Sequence, residues 1–149
     1  MLTRAYHNWN QAIFDVVYSE TMVGHRVYLD LDADTLSKIQ SHPSLENANT
    51  IEHLCEAVRE SINFSATAPF IFGQFEQATR DWITKLNATN MSKQAPPMLA
   101  FLAVTVLAAE RMGEDKALSA SAYFAPLFDL LRIRPGESVK FAEGYRSVV

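Results

Sequence analysis

Apolar residues recur along this chain at spacings of three and four far more often than at two, a rhythm that predicts a mainly α fold. Tyr6, Trp9, Ile13, Phe14 and Val17 line one face of a first helix over about Arg4 to Thr21, closed near Gly24. Val27, Leu29 and Leu31 then alternate with Tyr28 and Asp30, which predicts one short extended, strand-like segment near residues 26–31. Such a segment must pair with another or run as a tether across the helices. Asp32 or Asp34 stands where a cap is needed for a short helix ending at Gln40. Asn49, with Glu52 three residues on, predicts a capping box for a helix whose face holds Ile51, Leu54, Val58 and Ile62.

The pattern continues with Phe70, Ile71, Phe75, Ala78, Trp82 and Leu86, a helix opened by Pro69. Pro97 opens the most apolar stretch, where Met98, Leu99, Phe101, Leu102, Val104, Val106 and Leu107 cover every side. A helix of that kind needs neighbours all round, so Leu102 and Val106 are expected at the centre of the core. Ser119 or Ser121 can cap a further helix through Leu131, with Pro126 either in its first turn or bending it. After the turn at Arg134, Pro135 and Gly136, residues Phe141, Tyr145 and Val148 form an apolar stripe on a last segment. The expectation is an irregular bundle of roughly six to seven helices in one domain over residues 1–149.

Composition narrows the function classes. Hydrophobic residues make up 48% and charged residues 20%, the usage of a chain that folds rather than of a disordered tail. The formal net charge of −4 gives no global attraction to nucleic acid or to an anionic membrane. The lone Cys55 excludes an intrachain disulfide, and the opening residues form no secretory signal, so a cytoplasmic location is expected and the acceptor patterns at Asn63, Asn87 and Asn90 carry no weight. The stretch from Gln94 to Ala109 is shorter than the ~20 apolar residues of a membrane span.

Candidate chemistry is thin. Asp30, Asp32 and Asp34 alternate after the strand-like run, but a calcium loop begun at Asp30 meets Thr35 and Ser41 where Gly and Glu are required. The Asp-x-Asp-x-Thr or Val opening of haloacid-dehalogenase-like phosphatases fails as well, because the fifth residue is Asp34 or Leu36. These acids read as helix caps, and the rival reading is a metal-dependent enzyme fragment. His7, His25, His42 and His53 have no partner at ligand spacing, and no phosphate-cradling glycine loop or hydrolase elbow occurs. Glu110 and Arg111 read as a structural ion pair. No catalytic residue, metal or cofactor is expected.

Arg132, Arg134, Lys140 and Arg146 cluster near the end of the chain, where a helix, a Pro-Gly turn and a second helix could lay basic side chains on phosphates. Phe141, Tyr145 and Val148 offer the candidate protein interface, either to a second copy in a homodimer or to more of a parent chain.

Pro96-Pro97, Leu99 to Leu102, Ala108 to Met112, Tyr123-Phe124 and Leu130-Leu131, together with Val27 to Asp30, resemble a region of long, uncharacterised bacterial proteins found in defence-like gene neighbourhoods. The resemblance implies an amino-terminal module of something larger and carries no catalytic residues. The leading expectation is therefore a protein-interaction or scaffolding module without catalysis of its own, whose partner is another protein or the remainder of a parent chain. The alternative is nucleic-acid binding through the basic region.

Overall fold

The computed structural model describes residues 2–18, 29–62, 73–89, 95–111 and 124–132. The described residues are mainly helical and hold no strand. In chain order the helices are α1 (Arg4–Tyr18), α2 (Ala33–Gln40), α3 (Ile51–Ile62), α4 (Gly73–Thr89), α5 (Leu99–Glu110) and α6 (Phe124–Leu131), with a 3-10 turn at Pro43–Leu45 between α2 and α3. None of the described helices is long and apolar enough to cross a membrane.

Helix α1 packs on α2, the 3-10 turn, α3 and α5, while α6 packs on α3 and α5. The buried centre is built from Tyr6, Trp9 and Ile13 of α1, Leu54 and Val58 of α3, Phe101 and Val104 of α5, and Leu127 and Leu131 of α6. Of the described side chains of α4, the partly buried Ala78 packs against this core and Ile83 is 45% exposed. Among the described residues the indole N–H of the buried Trp9 has no acceptor, a cost of about 1–3 kcal/mol that the packing around the ring has to offset.

Local chemistry explains the helix starts. Asp32 caps α2, its Oδ1 accepting from the Thr35 N–H at 2.7 Å. That bond from the Thr35 backbone, joined by the Thr35 side chain, holds the Asp32 carboxyl below the usual range. The start of α3 differs from the sequence reading. Thr50, not Asn49, is the cap: its Oγ1 accepts from the His53 N–H at 3.2 Å, and His53 Nδ1 accepts in return from the Thr50 N–H at 3.3 Å. His53 thus fills the place expected for Glu52 in a capping box. Asn49 instead forms a reciprocal amide pair with Gln40, with bonds of 3.0 and 3.1 Å.

Helix α5 departs further from expectation. Its buried face is Leu99, Ala100, Phe101, Ala103, Val104 and Ala108, whereas Leu102 and Val106 are only half-buried. The small residues let α1, α3 and α6 approach closely on that side, away from Leu102 and Val106. Pro126 lies in the first turn of α6, where its missing N–H costs nothing. Leu31 is 3% exposed and Leu29 packs against the core, with Asp30 exposed between them. Residues 26–28 of the strand-like run lie outside the described residues, as do the cap candidates Ser119 and Ser121.

Candidate functional site: an arginine-lined cleft

The carboxy-terminal ends of α5 and α6 converge on one flank of α3 and leave a cleft of about 240 Å³ between them. From α3 come Ile51, Glu52, Cys55, Glu56 and Arg59, a stripe at helical spacing. Arg111 enters from the residue that closes α5, and Asp129, Leu130, Leu131 and Arg132 enter from the last turn of α6. Cys55 and Leu131 are buried and form the floor, while Glu52, Glu56, Arg111, Asp129 and Arg132 are exposed around it.

None of the charged side chains of the cleft has an ion-pair partner among the described residues. Among the described residues the ion pairs are Lys38 with Asp34 at 3.1 Å and His42 with Asp15 at 2.9 Å, and neither touches the cleft. Arg59, Arg111 and Arg132 have no side-chain hydrogen bond or ion pair with any described residue. Burial pushes the Cys55 thiol up to about 11, opposed by the positive charges of Arg111 and Arg132 and reinforced by Glu52. At neutral pH the thiol is therefore held protonated on the cleft floor.

Arg132 closes α6 in the left-handed region, with φ of 53°. A side chain with a Cβ costs roughly 1 kcal/mol more than glycine there. Of the sequence-derived basic cluster, Arg132 lies at the cleft, whereas Arg134, Lys140 and Arg146 lie outside the described residues, as do Phe141, Tyr145 and Val148. Sequence reading missed Arg59 and took Arg111 for the partner of Glu110. The available signal was the Glu52, Cys55, Glu56, Arg59 stripe, which puts charge beside a thiol on a helix that is otherwise core-forming.

The acids at residues 30–34 are not gathered into a site. Asp32 is engaged as the α2 cap, Asp34 pairs with Lys38, and the described residues contain no group of three or more potential ligands placed to hold a metal. A second polar chain has the composition of a hydrolytic triad: His42 Nε2 lies 2.9 Å from Asp15 Oδ2, and His42 Nδ1 lies 2.8 Å from Ser44 Oγ. The Ser44 N–H donates to the same Nδ1 at 3.2 Å, which makes His42 the cap of the 3-10 turn, and the Ser44 hydroxyl donates to the Asn8 carbonyl at 3.2 Å. These bonds fasten the turn to α1. None of these residues lines the arginine cleft or the wider depression of about 450 Å³ between α1 and α4. In that depression Trp82 and Lys85 already have interaction partners.

No family model, curated protein or solved structure matches this chain. The case for function therefore rests on the chemistry of the cleft.

Proposed function

We propose that the chain is a recognition module of a larger bacterial protein, possessing no catalytic activity of its own, that engages a protein partner or the remainder of its parent chain through the arginine-lined cleft. An irregular bundle with an extended segment near residues 26–31 and a cytoplasmic setting belong to the same reading, as does the defence-like context that the resemblance implies. The observation that carries it is the convergence of Arg59, Arg111 and Arg132 from three helices, all without ion-pair partners among the described residues, beside the apolar wall of Ile51 and Leu130. Arginine next to a desolvated apolar floor is a common energetic anchor of protein interfaces.

A photo-crosslinking amino acid at Ile51, on the cleft wall, tests this against the same group at Lys38, which is exposed on α2. The expected result in cells is a protein adduct from position 51 alone, lost when Arg111→Glu and Arg132→Glu are combined. An adduct indifferent to charge reversal, or none, overturns the reading.

Nucleic-acid contact is the second reading, favoured by the position of Arg132 beside two more arginines. Glu52, Glu56 and Asp129 interrupt the arginines, so the cleft offers no continuous cationic track for a nucleic-acid backbone. A mobility shift of duplex or single-stranded nucleic acid at about 50 mM salt, abolished by Arg132→Ala, would establish it over the first.

A further inference from the structure

The charges of the cleft are not evenly spread. Glu52, Glu56, Asp129, Arg111 and Arg132 are all exposed at the rim, and of these Arg111, Arg132 and Glu52 act on the buried thiol. Three arginines face three carboxylates in the lining, and the half-buried one among these six charged residues is a cation, Arg59 of α3. A simple structural role explains part of this, since cations complement the negative ends of α5 and α6. It does not explain Arg132, whose left-handed backbone would be adopted more cheaply by glycine, the residue that commonly closes helices in this conformation. Retaining a long cationic side chain at a position of backbone cost is the pattern of a residue used for what its head group binds.

The number and type of donors select the ligand. A guanidinium presents a planar fork of N–H donors, and a carboxylate is largely satisfied by one fork. A phosphate monoester has three terminal oxygens and a charge near −2 at neutral pH, which suits several forks converging from different directions. The cleft volume of about 240 Å³ suits a compact group rather than a duplex lying across it.

We infer that the cleft between α3 and the ends of α5 and α6 is a phosphomonoester site, with Arg59, Arg111 and Arg132 as its anion-binding side chains. The phosphate is carried either by a side chain of the partner or by a free small molecule, and only the first source rests on the recognition reading above.

Calorimetric titration of the full chain with inorganic phosphate and with O-phosphoserine tests the inference, with chloride and L-glutamate at matched ionic strength as controls. Both phosphates are expected to bind saturably, and glutamate at least about tenfold more weakly, because it lacks the third oxygen and the second charge. Arg111→Ala and Arg59→Ala should each weaken phosphate binding by about tenfold or more, whereas Arg4→Ala, on the exposed start of α1, should leave it unchanged. Thermal melts of each variant establish that it is folded. Glutamate binding as tightly as phosphoserine, or phosphate binding that survives the arginine substitutions, overturns the inference.

Phosphatase treatment separates the sources. Loss of the position-51 adduct after treatment identifies a phosphorylated partner, whereas phosphate binding without any adduct supports a small-molecule ligand and overturns the recognition reading alone. A persistent adduct with no phosphate binding has the opposite meaning: the recognition reading stands and the phosphomonoester inference falls.

Discussion

At its amino-terminal end α5 is held by two side chains from α1, whereas at its carboxy-terminal end it opens onto arginines with no partner among the described residues. Met98, the cap residue of α5, makes no side-chain capping bond. The task passes to α1: Asn10 Oδ1 accepts from the Ala100 N–H at 2.8 Å and Asn10 Nδ2 donates to the Pro96 carbonyl at 2.6 Å. The Tyr6 hydroxyl accepts from the Phe101 N–H at 3.3 Å and donates to the Pro97 carbonyl at 2.6 Å. Tyr6 and Asn10 are themselves buried, and burial drives the Tyr6 phenol upward, with the Phe101 N–H opposing it. The difference between the ends teaches where to look for stability and where for function. A buried polar group must be paired or it costs the fold, while an exposed charge can stay unpaired until a ligand arrives.

Substitutions at the two ends should therefore differ in sign as well as size. Phe101→Ala, in the buried seam of α5, should cost about 3–5 kcal/mol in denaturant unfolding. A loss below about 1 kcal/mol would show that the seam is not the structural end. Asn10→Ala should cost about 2–4 kcal/mol, because it leaves a buried N–H and a carbonyl of the α5 start unpaired. Tyr6→Phe keeps the ring and should cost about 1–3 kcal/mol, and a double-mutant cycle with Asn10→Ala should show coupling through the shared turn.

At the cleft end, Arg132→Gly should stabilise the fold by about 0.5–1 kcal/mol by relieving the left-handed backbone, while weakening phosphate binding. Destabilisation by that change would erase the contrast between the ends. The smallest effect is alkaline. Because the folded chain raises the Cys55 thiol from 9.0 to about 11, it holds that proton more tightly than the unfolded chain does. The contribution is fully present below about pH 9 and is lost as pH rises through about 11, so Cys55→Ala should flatten the fall of melting temperature across that window.

The legibility of these features in the sequence follows the range of the interactions behind them. The α2 cap, narrowed by pattern to Asp32 or Asp34, and the Leu54, Val58 face of α3 depend on residues within two turns, which is why pattern came so near them. The Thr50 cap was missed because Asn49, an equally good capping residue, precedes it; Gln40, nine residues back, claims the Asn49 side chain. The cleft was legible only in its last member, Arg132. Arg59 and Arg111 lie far from it in the chain, and their meeting depends on how α3, α5 and α6 cross.

The sequence by itself determined that the described chain is helical and where most helices fall, because spacing, capping residues and prolines act over a few positions. Only the tertiary structure decided which side of α5 is buried. That helix is apolar all round, so its own pattern expresses no preference, and α1, α3 and α6 chose the face whose small residues admit them. The same packing gave α5 its caps from α1 and brought the arginines of three separate helices to one cleft, contacts that no local rule encodes.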